Sequence, residues 1–165
     1  MNRSTDGHLE NARTPTAAPI TELLSFNVRR LANLLSSSAE LRYRREFDVS
    51  LPEWRTLALL GQFQPMTVNR LARLAALDKA QMSRVVAGLI ERGFIDKKPG
   101  PRRSSQLTLT TPGFDLYSAL IEAANERDRA LLSALDPEER EVFDRAIDKI
   151  SDAAILMDHK ERELP

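Results

Sequence analysis

Gln81, Ser83 and Arg84 are residue types that can read the edges and backbone of a nucleic-acid duplex. An arginine donates twice to guanine, a glutamine pairs with adenine, and a serine bonds phosphate. The three stand within Thr67–Gly93, TVNRLARLAALDKAQMSRVVAGLIERG, which reads as two short helices joined by a tight turn. In its second half Met82, Val85, Val86, Leu89 and Ile90 follow the i, i+3, i+4, i+7, i+8 spacing of one apolar stripe. Asp78 precedes the stripe with Gln81 three residues on, a capping-box spacing. Gly93 follows the last apolar residue, where a left-handed terminator is usual. The spacing predicts a helix from about Lys79 to Arg92. Lys79, Ala80, Gln81, Ser83, Arg84 and Ala87 then lie off or at the edge of its buried face.

The preceding segment, Thr67 to Ala75, turns Val68, Leu71, Ala72, Leu74 and Ala75 inward, with Thr67 as its N-cap. Arg70 and Arg73 fall outside that apolar set. With a turn of three or four residues at Ala76–Asp78, the pair matches helix-turn-helix geometry. An ordinary helical hairpin in a bundle fits the same residues equally well.

The composition narrows the chemistry. At 165 residues with 42% apolar content, the chain has the size of one domain, with or without helical extensions. No apolar run is long enough for a membrane span, and the N-terminus lacks the order of a signal peptide. The absence of cysteine removes disulfides and thiolate metal sites. His8 and His159 stand near opposite termini, which argues against a histidine-based catalytic or zinc centre. Serines are plentiful, but neither histidine is placed to activate one, so an enzyme is not expected and no cofactor is implied. A cytoplasmic protein is the simplest fit. The formal net charge is zero, but it is unevenly spread. Arg70 to Arg103 holds nine bases against three acids, a net +6, whereas Glu138 to Glu163 holds nine acids against five bases, a net −4. A basic middle and an acidic end would orient a nucleic-acid-binding face.

The remaining elements follow from period and turn chemistry. Residues 1–19 are polar, contain two prolines, Pro15 and Pro19, and lack any period, so a disordered tail is expected. From Ile20 a stripe of Ile20, Leu24, Val28, Leu31 and Leu35 predicts a helix to about Arg45. Asn27 projects onto its apolar side and Arg30 onto its flank, either as satisfied structural groups or facing a ligand cavity. Ser50–Leu51–Pro52–Glu53 starts another helix, with Trp54, Leu57, Ala58, Leu60 and Gly61 inward and a stop near Gln64–Pro65. Trp54 reads as core, although its indole could also line a pocket.

After Gly93, Phe94–Lys98 and Ser105–Thr110 alternate as strands do, around a basic, turn-rich tip at Pro99–Ser104. A hairpin directly after such a helix is a wing, and tip arginines reach a minor groove readily. An exposed basic hairpin without a partner is the plainer alternative. Thr111–Pro112 then caps a long helix to about Ala134. Asp136–Pro137–Glu138–Glu139 starts the last helix, with cap, proline and capping-box glutamate together. Its seam of Val142, Phe143, Ala146, Ile147, Ile150, Ala153, Ala154 and Met157 runs to near Asp158. The long terminal helices exceed what one small winged domain requires, so pairing with the same helices of a second subunit is the economical explanation.

In this order the elements resemble the MarR family of winged-helix transcription regulators, over roughly Ile20 to Met157. The matching pieces are LPEWRTLALL at Leu51–Leu60, LARLAALDKAQMSRVVAGLIERGFI at Leu71–Ile95 and RRSSQLTLTTPG at Arg102–Gly113. Leu109, Thr110 and Gly113 fall where the family's wing signature places Leu, Thr and Gly; Pro101 stands where it has Asp before the arginine pair. The resemblance implies a mainly α fold with a small β-hairpin wing. It comprises a winged helix-turn-helix domain at 49–110, an N-terminal dimerisation helix at 20–48 and C-terminal dimerisation helices at 111–165. It further implies a homodimer on a palindromic promoter site, read by helix 78–92 and wing 96–106. A repressor released by a small molecule, such as an aromatic acid or its thioester, is expected. On this reading Gln81, Ser83 and Arg84 contact bases or nearby phosphates. Thr67, Asn69 and Lys79 anchor the backbone, and Arg102, Arg103 and Ser104 supply the wing. Asn27, Arg30 and Trp54 are the ligand candidates that the resemblance carries over. The alternative is a winged-helix module that binds only protein.

Overall fold

The computed structural model describes residues 19–101 and 104–164. The expected tail at 1–19 therefore lies outside the described residues, Pro19 apart, as do Arg102 and Arg103. The chain divides into two compact units, one ending at Leu51 and the other starting at Pro52.

In the first unit the long N-terminal helix starts later than its apolar period suggests. Ile20–Glu22 forms a short 3-10 turn, and Leu23 is extended. Helix α1 then runs Leu24–Phe47. The amide of Asn27 explains the offset: it donates to the carbonyls of Thr21 (2.9 Å) and Leu23 (3.3 Å), tying the turn to the helix start. Asp48 ends α1 in the left-handed region, at φ 53°. Glu40 serves both sides of that end, taking Arg44 Nε at 2.6 Å and the Leu51 N–H at 2.7 Å.

The second unit carries α2 (Leu51–Phe63), α3 (Val68–Leu74), α4 (Lys79–Glu91), β1 (Ile95–Pro99), β2 (Ser105–Leu109), α5 (Thr111–Leu132) and α6 (Pro137–Glu163). The strands pair antiparallel, with Ile95 opposite Leu109, Lys97 opposite Leu107 and Pro99 opposite Ser105. Met66, in the loop between α2 and α3, adds a single-residue bridge on the other edge of β2 by exchanging both backbone hydrogen bonds with Leu107, at 3.1 and 2.8 Å. The core gathers Leu57 and Leu60 of α2, Leu71 of α3, Met82 and Leu89 of α4, Met66, Ile95, Leu107 and Leu120, each at most 2% exposed. Thr56 is buried among them; its hydroxyl donates to the Pro52 carbonyl at 2.8 Å, so burial leaves it satisfied.

Two glycines mark close approaches. A Cβ on Gly61 would come within 2.5 Å of the Tyr117 ring, so α2 meets α5 flat at that point. A Cβ on Gly113 would collide with the Phe94 carbonyl, so only glycine lets the first turn of α5 sit on the end of α4's exit loop. Thr110, one residue before the expected Thr111, caps α5. Its hydroxyl accepts the Gly113 N–H (3.1 Å) and donates to the Gly93 carbonyl (2.7 Å), a link across seventeen residues that no local pattern shows.

Helix α5 ends at Leu132, and Asp136 caps α6 in a complete capping box with Glu139. Helix α6 continues past Asp158 to Glu163, helped by the Asp158–Arg162 pair at 2.7 Å. None of its described residues is buried; Val142, Phe143, Ile147 and Ile150 are 40–51% exposed.

Candidate nucleic-acid interface

The helix-turn-helix is built by caps and one unusual backbone residue. Thr67 Oγ1 accepts the Arg70 N–H at 3.3 Å and so starts α3. At the turn Ala76 takes φ 53°, a left-handed conformation that costs a residue with a Cβ roughly 1–2 kcal/mol. The Leu77 N–H then reaches back to the Ala72 carbonyl at 2.9 Å, which closes the turn. Asp78 Oδ1 accepts the Gln81 N–H at 2.8 Å and starts α4. Only this half of the expected capping box forms, and the Gln81 side chain makes no bond to the cap.

The other end of α4 is a Schellman motif. The Gly93 N–H bonds the Ile90 carbonyl and the Phe94 N–H bonds the Leu89 carbonyl, both at 2.9 Å, with Gly93 at φ 76°. Arg92 is held apart from the basic face. Its guanidinium pairs with Glu53 at 3.1 Å and lies 5.1 Å from the centre of the Phe94 ring. This arginine therefore ties α2 to the end of α4, and of the nine bases counted in sequence it is one already engaged. Only the fold, which brings residues 53 and 92 together, reveals that.

Between these fixed ends α4 is strictly two-faced. Met82, Val86 and Leu89 are at most 3% exposed, with Val85 and Ile90 half-buried at the edges. Lys79, Ala80, Gln81, Ser83, Arg84 and Ala87 are exposed, as the apolar period predicts. Asn69, Arg70 and Arg73 of α3 are exposed beside them, and Thr67 is half-buried. Among the described residues, no hydrogen bond or ion pair engages the side chains of Lys79, Gln81 or Arg84. Their donors point outward and unspent. Arg84 also borders a shallow pocket of about 210 Å³ with Pro52, Leu77, Gln81 and Val85.

The wing turn is held internally. The Gly100 N–H bonds the Ser104 carbonyl (2.8 Å), and the Ser104 hydroxyl donates to the Pro101 carbonyl (2.7 Å). Ser104 thus gives its proton to the turn, and what it offers outward is only an acceptor. Lys97 and Lys98 of β1 are exposed and border a 390 Å³ groove with Pro99, Gly100, Ser104 and Ser105. Adjacent on one strand, the two lysines point to opposite faces of the hairpin, so the wing carries positive charge on both.

The ligand candidates do not gather into one described site. Asn27 spends its amide on the turn before α1, the structural role left open by its sequence position. Arg30 is exposed on α1. Trp54 is half-buried and borders a groove of about 430 Å³ together with Arg55, Ala58, Leu59, Leu74, Ala75 and Ala76. Leu74, expected to face inward, is 50% exposed in that groove. It is the last residue of α3, and its turn of the helix has left the core already closed by Leu71 and Ala75.

The family model for the MarR family matches residues 47–104, from the end of α1 through the wing tip. An HTH-type transcriptional regulator of Mycobacterium leprae is 31% identical over 130 residues, covering 77% of this chain and 87% of the relative. The chain belongs to the MarR family. A MarR/EmrR family transcriptional regulator from Acinetobacter sp. ADP1 superposes with a TM-score of 0.72 at 25% identity, over 80% of this chain and 94% of that one. S. aureus MepR in its DNA complex shares the fold, with a TM-score of 0.72 at 22% identity over 80% of this chain and 98% of that one. The family is one of transcriptional regulators, not enzymes. Among its described residues this MarR regulator has six α-helices and a two-stranded wing, the fold class expected from its sequence. No helix among its described residues is long and apolar enough to cross a membrane.

Proposed function

We propose that this MarR-family protein is a cytoplasmic homodimer that binds a palindromic promoter site and represses transcription until a small molecule releases it. The carrying observation is the row of Lys79, Gln81, Ser83 and Arg84, exposed and unengaged on a helix whose opposite face is sealed in the core. A helix so anchored presents donors rigidly, which is what discrimination between base pairs needs. Gln81, Ser83 and Arg84 read base edges or adjacent phosphates. Thr67, whose hydroxyl keeps a proton to donate, and Asn69 and Lys79 hold the backbone. Arg102 and Arg103 extend the wing to the flanking minor groove, and Ser104 shapes its tip.

Dimerisation is supported by the apolar residues that α1 and α6 leave exposed, from Leu24, Val28 and Leu31 to Ile147, Ile150 and Met157. Paired about a two-fold axis, two recognition helices address half-sites about 34 Å apart. The effector is an aromatic acid or its thioester, sensed close to Trp54, with Asn27 and Arg30 as the further contacts that the family likeness suggests. Release follows from preferential binding to the dimer state whose helices are wrongly spaced for the operator.

The test is fluorescence anisotropy of a labelled duplex from the gene's own upstream region against a scrambled duplex, at two salt concentrations. Tight, salt-sensitive binding that prefers the native duplex, at two subunits per site, is the expected result. Weak binding equal for both duplexes would turn the reading toward a protein partner.

A further inference from the structure

One flank of α4 carries two features that hydrogen bonding to base edges does not explain. The first is the shallow recess of about 210 Å³ between α4 and the start of α2. Its apolar lining is Pro52 of α2, Leu77 of the turn before α4, and Val85, each half-buried. Gln81 and Arg84, both exposed, complete it. The second is Gly88, which lies inside α4 one turn beyond Arg84 and two beyond Gln81, on the same side of the helix. Glycine within a helix is destabilising relative to alanine. A Cβ at residue 88 would meet nothing within 4 Å, so among the described residues no neighbour requires glycine there.

We propose that the duplex seats on this flank, with the 5-methyl group of a thymine in the recess and the adjoining sugar–phosphate strand against the bare backbone of Gly88. This seating rests on the reading of α4 as the recognition helix and deepens it by naming a base. The recess is smaller than the usual small-molecule site, so a whole ligand is a poor occupant. Proline, leucine and valine side chains offer a base edge no hydrogen bond, and of the four bases only thymine shows an apolar group in the major groove. Arg84 borders the same recess and suits guanine, which places the thymine beside the guanine that Arg84 reads.

Gly88 supplies the depth. A shallow recess reaches a methyl group only when the helix lies close against the groove, and a side chain at residue 88 would hold the strand away. A methyl contact also carries no charge. Its share of the selectivity should survive added salt, whereas the contacts to phosphate weaken.

In the test, the full chain selects sites from a pool of random-sequence duplexes, and fluorescence anisotropy measures the selected duplex and its variants. Deoxyuridine replaces each thymine in turn, keeping the base pair and removing only the methyl group. Beside the guanine whose selection Arg84→Ala abolishes, this change should weaken binding about fourfold, the worth of one buried methyl group, at low and high salt alike. Leu77→Ala removes part of the recess, and Val85→Thr makes it more polar at nearly equal shape. Each should reduce the preference for thymine over deoxyuridine. That preference is a ratio within one variant, so a lowered folded fraction does not mimic its loss. Gly88→Ala should raise the midpoint of urea unfolding, as alanine does within a helix. It should nevertheless weaken the selected duplex roughly tenfold, on the scale of an overpacked contact. A glycine that was merely tolerated would give the first effect without the second. The proposal is overturned if no thymine stands beside a guanine that depends on Arg84, or if deoxyuridine is accepted there without loss. It is equally overturned if neither recess variant reduces the preference, or if Gly88→Ala binds like the parent. A chain that selects no sequence from the pool overturns the recognition reading itself, whereas any of the other failures leaves that reading standing.

Discussion

Helices α4 and α6 are both amphipathic, and both start from an aspartate cap, yet they end in opposite situations. The stripe of α4 is sealed: Met82, Val86 and Leu89 are at most 3% exposed. The stripe of α6 finds no cover within the described residues, with Phe143 at 40% and Met157 at 66% exposed. An amphipathic period states that a helix has an apolar face; it does not say which surface will cover it. For α4 the cover is the rest of the winged domain. For α6 the proposed cover is a second copy of the chain, since so long an uncovered apolar face is a liability in an isolated subunit.

Substitutions on the two helices should therefore fail differently. Charging the α6 seam with Phe143→Asp and Ile147→Asp together should convert dimers to monomers by analytical ultracentrifugation, with loss of tight operator binding. A dimer that survives both changes would remove α6 from the interface. Leu89→Ala in α4 should instead lower unfolding free energy by about 2–5 kcal/mol in urea melts, the usual range for truncating a buried leucine. Arg84→Ala, on the other face of the same helix, should leave the melt unchanged. It should cost about 1–3 kcal/mol in operator affinity and relax discrimination between sites. An Arg84→Ala protein that binds as tightly as the parent would remove that residue from the readout.

Smaller effects sharpen the contrast at the caps. Asp136→Ala breaks the capping box of α6 and should cost about 1 kcal/mol. The smallest concerns pH at the far end of α6. The hydrogen bond from Arg162 lowers the pKa of Asp158 below the ordinary carboxylate value. A carboxylate lowered on folding favours the folded state above its unfolded pKa, and that contribution fades as pH falls through the folded one. Arg162→Ala should return the Asp158 titration, followed by carboxyl NMR, toward the usual range. Because both groups are exposed, global stability should barely change.

Much of this architecture was legible from local pattern. Asp136–Glu139 announced the start of α6, and Asp78 and Gly93 bracketed α4, because caps and left-handed terminators act within a few residues. The exposure of Gln81, Ser83 and Arg84 followed from the apolar period of the same helix. The errors share one cause. Ile20 continued the period of α1 but belongs to a separate turn, because the Asn27 amide ties that turn to the start of the helix. Leu74 matched an inward position but was left outside a core already closed by its neighbours.

By itself, then, the sequence determined what neighbouring residues decide: where helices start and stop, which face of each is apolar, and that a basic hairpin follows α4. Tertiary structure decided what depends on residues far apart in the chain. It spent Arg92 on Glu53, anchored the wing to Met66, and gave the hydroxyl of Thr110 to the Gly93 carbonyl. It also set Leu74 across a groove from Trp54 with Arg55 unengaged beside them. Caps and periods act over one or two helical turns, whereas ion pairs, sheet rungs and grooves exist only once the chain has brought distant segments into contact.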